Sequence, residues 1–113
     1  MRYIELKELQ TRKKELVLNY KQQIALIVGE VYETNQGRGQ GFDRETNKRA
    51  MRVLDALDEQ AGDILALEDA DHQFLLARVN GFVWPFCDAV FETFCSDIEQ
   101  APAKKPEALA ATV

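Results

Sequence analysis

Residues 74–94, FLLARVNGFVWPFCDAVFETF, hold five of the six phenylalanines and the only tryptophan of this 113-residue chain. Aromatic side chains bury large areas and dominate the energetics of cores and interfaces alike. Acidic residues flank the stretch on both sides, namely Glu68, Asp69, Asp71, Asp97 and Glu99. A cluster this dense indicates either the core of a small domain or a surface that holds a partner.

Helical periodicity divides the stretch into the end of one helix, a break and the start of another. We expect a third helix from Asp69 or Ala70 to Gly81. We expect a fourth to begin at Trp84-Pro85, since proline is favoured at a first helical position. At 100° per residue, this fourth helix carries an apolar arc of about 180°, which more than one neighbour must cover. The arc comprises Phe86, Cys87, Val90, Phe91, Phe94, Cys95 and Ile98. Either two elements of the same domain cover this arc, or another chain covers part of it.

Two further helices and a glycine-rich connection are predicted upstream. The helical stripes are Tyr20, Ile24, Ile27, Val28 and Val31 in one, and Ala50, Met51, Leu54, Leu57 and Ala61 in the other. Asp43 suits the N-cap of the later helix and Gly62 its end, while Glu45 and Arg49 form a favourable i,i+4 pair. Residues 36–41 are typical of a mobile loop, and residues 64–67 of a short extended connector.

The first nineteen residues fit two structures. Apolar residues at three-to-four spacing predict a single helix from about Glu5 to Glu33. Apolar and polar residues also alternate in residues 4–7 and 16–20, and the polar run 10–14 between them suits a hairpin connection. We prefer the short N-terminal β-hairpin, and the fold class is then mainly α, a small bundle of three to four helices.

Length and composition indicate one soluble globular domain. Hydrophobic residues make up 46% and charged residues 29% of the chain, which is ordinary for that class. We assign residues 1–100 to the domain and 101–113 to a disordered tail. No apolar run is long enough to span a bilayer, and the first residues do not resemble a secretory signal. The expected location is the cytoplasm.

The two cysteines fit a reducing compartment. Cys87 and Cys95 lie eight residues apart on the predicted fourth helix, which places their Cα atoms about 12 Å apart. A disulfide needs roughly 7 Å or less. We therefore expect two free, buried thiols.

The charge is distributed unevenly along the chain. Residues 1–49 contain ten Lys and Arg against seven Asp and Glu, whereas residues 50–101 contain two against eleven. The simpler interpretation is that two helices have acidic solvent faces. The alternatives are electrostatic steering toward a partner and head-to-tail association of copies of the chain.

No motif of a known reaction is present, and we expect neither enzymatic activity nor a cofactor. Ser96 and His72 are the only serine and histidine, and no nucleophile elbow surrounds the serine. The cluster Glu68, Asp69, Asp71 and His72 lacks the spacing of a calcium loop and is better explained as an acidic helix start, so no metal is expected. The glycines of residues 37–41 lack the lysine of a phosphate loop.

Nucleic-acid binding is disfavoured as well. The basic residues Arg44, Lys48 and Arg52 lie on one helical face with Arg49 beside them. Nucleic-acid binders are usually basic overall, whereas this chain has a net charge of −5.

Protein binding is the remaining function class, and two sets of residues are candidates for it. The aromatic candidates around the helix break are Phe82, Trp84, Phe86 and Phe91, and the acidic candidates are Asp55, Asp58, Glu59 and Asp69. A tryptophan at a loop–helix junction is either a core residue or an interface anchor. The expected partner is another protein or a second copy of the chain.

Three short motifs carry a resemblance to a known group of proteins. RVLDAL at residues 52–57, LEDAD at 67–71 and FVWP at 82–85 resemble motifs of short proteins from tailed bacteriophages and prophages. The resemblance covers roughly residues 20–100. It implies a non-catalytic role in virion morphogenesis, similar to that of a tail-assembly chaperone, or in modulating a host protein inside the bacterium. No functional residues are carried over from it.

Overall fold

Four helices and several short strands make up the described part of the chain, so the predicted mainly α class is confirmed. The computed structural model describes residues 1–31, 33–34, 37–38, 41–60 and 62–104. The elements are β1 (Arg2–Glu5), β2 (Glu8–Gln10), β3 (Val17–Asn19), α1 (Tyr20–Gly29), β4 (Glu33–Thr34), β5 (Gly37–Arg38), α2 (Arg44–Glu59), β6 (Ile64–Leu67), α3 (Asp69–Gly81) and α4 (Ala89–Glu99).

Strand β1 pairs antiparallel with β6, far away in sequence. Ile4 lies opposite Leu65, and both side chains are buried. The predicted extended connector at residues 64–67 is therefore the strand β6. The N–H of Tyr3 also donates to the carbonyl of Pro102 at 3.0 Å, and Ala101 is buried. This sheet holds the N-terminal strand against the chain that leaves α4.

Strands β2 and β3 also pair antiparallel, with Leu9 opposite Leu18. The alternative of one helix over residues 5–33 is wrong, because the helix in this region begins at Tyr20, capped by the Asn19 side chain. Residues 4–7 do not form the first arm of the expected hairpin, since Ile4 gains a buried partner in β6 instead. The Thr11 hydroxyl donates to the carbonyl of Leu16 at 2.7 Å and closes the connection between β2 and β3.

Helix α1 buries four residues of its predicted stripe, namely Tyr20, Ile24, Ile27 and Val28. Val31 does not belong to it, because the helix ends at Gly29 and Val31 is exposed. Helix α1 packs against α2 and α3. The Arg78 guanidinium of α3 donates to the carbonyl of Ile27 at 2.8 Å, which ties α3 to the end of α1.

Helix α2 begins as predicted. The Asp43 carboxylate accepts a hydrogen bond from the N–H of Thr46 at 2.7 Å, which lowers the pKa of Asp43. The predicted pair between Arg49 and Glu45 is present at 3.3 Å. The predicted stripe needs one correction, since Met51 is exposed and Val53 is buried in its place. Gly62 adopts a positive φ of 80° just beyond the helix, where glycine meets no steric penalty.

Helix α3 runs from Asp69 to Gly81 as predicted, but α4 does not begin at Trp84-Pro85. It begins at Ala89, because the Asp88 side chain caps it by accepting from the N–H of Val90 at 3.1 Å. Phe86 and Cys87 therefore lie before the helix and outside the predicted arc. Both cysteines are free, yet the expected burial is wrong for Cys87, which is exposed, while Cys95 is half-buried.

The core lies where the four helices meet the β1–β6 sheet. The Tyr20 and Phe94 rings meet edge to face with centroids 4.9 Å apart, and neither residue is accessible to solvent. No helix in the described ranges is long and apolar enough to cross a membrane. Residues 105–113, which hold most of the predicted tail, lie outside the described residues, as do Ala61 and residues 35–36 and 39–40 of the glycine-rich segment.

Candidate functional site

An open groove of about 390 Å³ lies between the β2–β3 hairpin, α1 and the segment that joins α3 to α4. Among the described residues, no charged side chain lines it. We call it the apolar groove; its lining residues are Thr11, Leu16, Val17, Leu18, Gln23, Leu26, Phe82, Val83, Trp84, Pro85, Phe86 and Phe91.

The walls of the apolar groove expose large aliphatic side chains to solvent. Leu16 is 46% exposed, Val17 50% and Val83 38%. Six large hydrophobic residues are exposed in the described part of the chain, and these three lie together in one groove. Single exposed hydrophobic residues are ordinary, whereas a contiguous apolar patch marks an interaction site.

Stacked aromatic rings form the floor of the groove. Trp84 stacks on Phe91 with centroids 4.4 Å apart and an interplanar angle of 9°. Phe82 meets Trp84 edge to face at 4.7 Å, and Phe86 meets Phe91 at 5.0 Å. The structure thus brings the four aromatic candidates together. Phe91 is buried and the other three are half-buried, so the floor is held by ring-to-ring contacts before any partner arrives.

A basic segment is fixed beside the mouth of the groove. In the β2–β3 connection, the N–H of Arg12 donates to the Asp88 carboxylate at 2.6 Å. That bond is the main reason why the pKa of Asp88 is lowered, and the bond from Val90 adds to it. The Lys13 ammonium lies 4.3 Å from the centroid of the Phe86 ring. The start of α4 is therefore hydrogen-bonded to the hairpin connection. The positive charge of Lys13 lies over Phe86, at the rim of the groove.

The acidic candidates lie elsewhere. Asp55, Asp58 and Glu59 are exposed on α2, and none of them lines the apolar groove. Asp69, at the start of α3, is exposed and accepts from the Met1 ammonium at 2.9 Å, which lowers its pKa. The eight candidates thus divide into a joined aromatic set and a separate acidic set.

Sequence reasoning missed the aliphatic wall of the groove. Leu16 and Val17 fit the apolar pattern of both the strand and the helix alternatives, and Val83 lies at the helix break without being one of the eight candidates. The run Leu16-Val17-Leu18 contains a signal nonetheless, because successive residues of a strand point to opposite faces. Leu18 is buried, so Val17 must lie on the other face, where a two-stranded sheet has no second layer to cover it.

The remaining polar clusters have structural partners. The predicted basic face is interrupted, because the guanidinium of Arg52 pairs with the Asp71 carboxylate at 3.3 Å. His72 Nε2 lies 2.7 Å from the carbonyl of Ile98, so its N–H donates there and joins α3 to α4. Within the residues that the structure describes, no group of three or more His, Cys, Asp and Glu is placed to hold a metal ion.

Two groups with nucleophilic atoms, on the buried Tyr20 and the half-buried Cys95, are held in their protonated forms. The Tyr20 hydroxyl donates to the Asp97 carboxylate at 2.6 Å. Burial and then this bond raise the pKa of Tyr20 well above its usual range. Burial and the nearby Glu92 raise the pKa of the Cys95 thiol. Both groups are poor nucleophiles at neutral pH, since the deprotonated form is the reactive one.

In the comparisons with known proteins, no family model, curated protein or solved structure matches this chain.

Proposed function

We propose that this chain is a non-catalytic protein-binding protein, and that its apolar groove receives part of a partner. The observation that carries the proposal is the exposure of Leu16, Val17 and Val83 around a stacked aromatic floor. Covering a large aliphatic side chain completely is worth about 1.5–3 kcal/mol. These side chains are roughly half exposed, so a partner that covers one of them gains about 1 kcal/mol of binding free energy from it.

The groove is suited to binding because its floor is already ordered. Trp84, Phe86 and Phe91 are held in ring-to-ring contact, and Arg12 is tied to Asp88. A binding surface that is ordered beforehand loses less conformational entropy when a partner arrives. Tryptophan near the centre of such a surface is a frequent source of binding energy.

We place this binding activity in the assembly of a phage or prophage virion, with the tail as the leading case. The support is the resemblance of three motifs to short phage proteins. FVWP at residues 82–85 contributes all four of its residues to the lining of the apolar groove. RVLDAL and LEDAD lie in α2 and across the start of α3, away from the groove.

Affinity capture from bacteria that are producing tailed-phage virions tests this function. The bait is the full-length chain, and Val17→Asp places a charge in the groove wall. Met51→Asp is the matched control, because Met51 is 45% exposed on α2 and does not line the groove. We expect wild type and Met51→Asp to retain virion proteins and Val17→Asp to lose them. Equal recovery with Val17→Asp, or no virion protein with any bait, would contradict the proposal.

A second candidate function is inhibition or modulation of a host protein through the acidic surface. Asp55, Asp58 and Glu59 are exposed on the second half of α2, and no ion pair within the described residues neutralises them. The variant with Asp55→Asn, Asp58→Asn and Glu59→Gln keeps the shape and removes the charge. If captured host proteins disappear with this variant but persist with Val17→Asp, the second function holds and the first fails.

A further inference from the structure

We infer that the segment received by the apolar groove is acidic as well as apolar: a short stretch of the partner with large hydrophobic side chains flanked by Asp or Glu. This inference rests on the proposed function and adds the chemistry of the partner. It comes from the charges around the groove, which the lining residues alone do not show.

The size of the groove limits what enters it. At about 390 Å³, its volume lies near the lower end of pockets that hold small ligands. A few side chains fit in that space, and a whole helix does not. The part that enters is therefore a cluster of apolar side chains, and the residues flanking them lie against the rim.

The rim beside the hairpin is positively charged. Arg12, Lys13 and Lys14 are exposed in the β2–β3 connection, against the single carboxylate of Glu15. Lys13 lies directly over Phe86, a lining residue of the groove. Charges at the edge of an interface steer association and fix its register, because exposed charges attract at a distance.

The carboxylates at the start of α4 lie outside the lining of the apolar groove. Asp88 and Glu92 line a separate depression, which shares Phe86 and Phe91 with the apolar groove. Neither of them lines the apolar groove. Asp88 accepts hydrogen bonds from the N–H groups of Arg12 and Val90, and its charge offsets part of that of Arg12. With Glu15 and Asp88 set against Arg12, Lys13 and Lys14, a surplus of one positive charge stays beside the groove.

A second copy of this chain does not supply such a segment from its described helices. Helix α2 has acidic residues, but Val53 and Leu57 are in the core and Met51 is its one large hydrophobic residue among those exposed in the described part of the chain. The same holds for α3, whose Leu75 and Val79 are buried. Within the described helices, no cluster of exposed apolar side chains accompanies the acidic residues, so another protein is the better source of such a segment.

A nucleic acid is also a poorer match, although lysines near aromatic rings bind single strands in other proteins. Bases stack on accessible aromatic faces. Here a face of Trp84 is covered by the Phe91 ring, and the exposed side chains of the walls are aliphatic. Aliphatic side chains match the hydrophobic side chains of a peptide better than they match a base.

Peptide selection tests the inference with defined probes. The full-length chain is immobilised, and a display library of random 12-residue peptides is selected on it. We expect the enriched peptides to combine Trp, Phe or Leu with Asp or Glu and to have a negative net charge. The Kd of one such peptide is then measured with wild type, Val17→Asp, Met51→Asp and the double variant Lys13→Glu/Lys14→Glu.

We expect the double variant to bind the acidic peptide roughly five- to tenfold more weakly, the size expected when two exposed charge pairs are reversed. Val17→Asp should lose binding by more than about tenfold, and Met51→Asp should match wild type. A peptide with Lys in place of its acidic residues should in turn bind the double variant better than wild type. Raising the salt concentration should reduce the effect of the double variant.

Several results would overturn the inference, and one of them separates it from the proposed function. Neutral or basic selected peptides, or equal affinity for wild type and the double variant, would overturn the acidic preference while Val17→Asp still supports the groove. If no selected peptide distinguishes Val17→Asp from wild type, both proposals fail.

Displacement of the peptide by a 12-nucleotide oligothymidine would favour nucleic acid. A light-scattering mass of two chains, reduced by Val17→Asp, would favour a second copy.

Discussion

The two ends of helix α4 differ in how they meet the rest of the molecule. At the C-terminal end, polar groups close the structure: His72 donates to the carbonyl of Ile98, and the Arg2 guanidinium donates to that of Ala101 at 3.2 Å. Ile98 and Ala101 are buried. At the N-terminal end, rings contact rings, and Val17 and Val83 of the apolar groove stay exposed.

This difference separates side chains that hold the fold together from side chains available to a partner. Backbone carbonyls that lose water must find donors inside the protein, because an unpaired buried polar group is costly. The C-terminal end meets that requirement with long-range hydrogen bonds. The exposed aliphatic residues at the N-terminal end of α4 need no such donors. Their burial becomes favourable only when a partner removes their apolar surface from water.

The largest expected effect is at the closed end. Ile98→Ala removes a side chain with no solvent exposure, so we expect the free energy of unfolding to fall by about 2–5 kcal/mol. Urea unfolding followed by circular dichroism measures it. Val83→Ala is the comparison near the N-terminal end of α4, and its free energy of unfolding should stay within about 0.5 kcal/mol of the wild-type value. Similar losses for the two variants would remove the distinction between the ends.

A smaller effect is expected beside the core. Tyr20→Phe removes the hydroxyl that donates to Asp97, which should cost about 1–2 kcal/mol at neutral pH. Because the pKa of Tyr20 is raised by folding, the unfolded chain ionises first, near pH 10. The contribution of the hydroxyl is therefore complete below about pH 10 and is lost as the pH rises further.

Urea unfolding between pH 8 and pH 11 measures this dependence. The difference between wild type and Tyr20→Phe should shrink toward the alkaline end. Tyr3→Phe serves as the control, since its hydroxyl makes no hydrogen bond within the described residues. A difference that is constant with pH, or that grows, would show that the Tyr20 proton is not linked to folding.

The smallest effect concerns the order of the basic rim. Asp88→Ala removes the acceptor of both the Arg12 and the Val90 N–H groups. We expect faster hydrogen exchange at these two amides, with little change at the amide of Tyr3, which is bonded at the closed end. Unchanged exchange at Arg12 would mean that Asp88 does not hold the rim.

Local sequence signals predicted the start of α2 from its Asp43 cap and failed for α4, where two start signals compete. The bounds of α3 follow from an acidic start and a glycine at its end. For α4, Pro85 at a first helical position competed with Asp88 as an N-cap, and Asp88 prevailed because its carboxylate bonds Val90. The displaced start leaves residues 82–88 outside a helix, and this segment is what lines the apolar groove with aromatic rings.

Non-local contacts explain the rest of what the sequence did not show. The pairing of Ile4 with Leu65 joins residues some sixty positions apart, and no local pattern specifies such a partner. The same is true of the groove. The aromatic candidates were visible as a cluster, but their meeting with Val17 depends on how the hairpin packs beside α1.

The most direct test of the account is an amide NMR titration of the isotopically labelled full-length chain with the selected acidic peptide. Trp84 is the only tryptophan, so its indole N–H gives one unambiguous signal in the groove floor. We expect shifts at this signal and at the amides of residues 11–18 and 82–91, with the amides of Ile98 and Ala101 unchanged. Shifts confined to α2, or to the closed end of α4, with the Trp84 signal unmoved, would contradict the account.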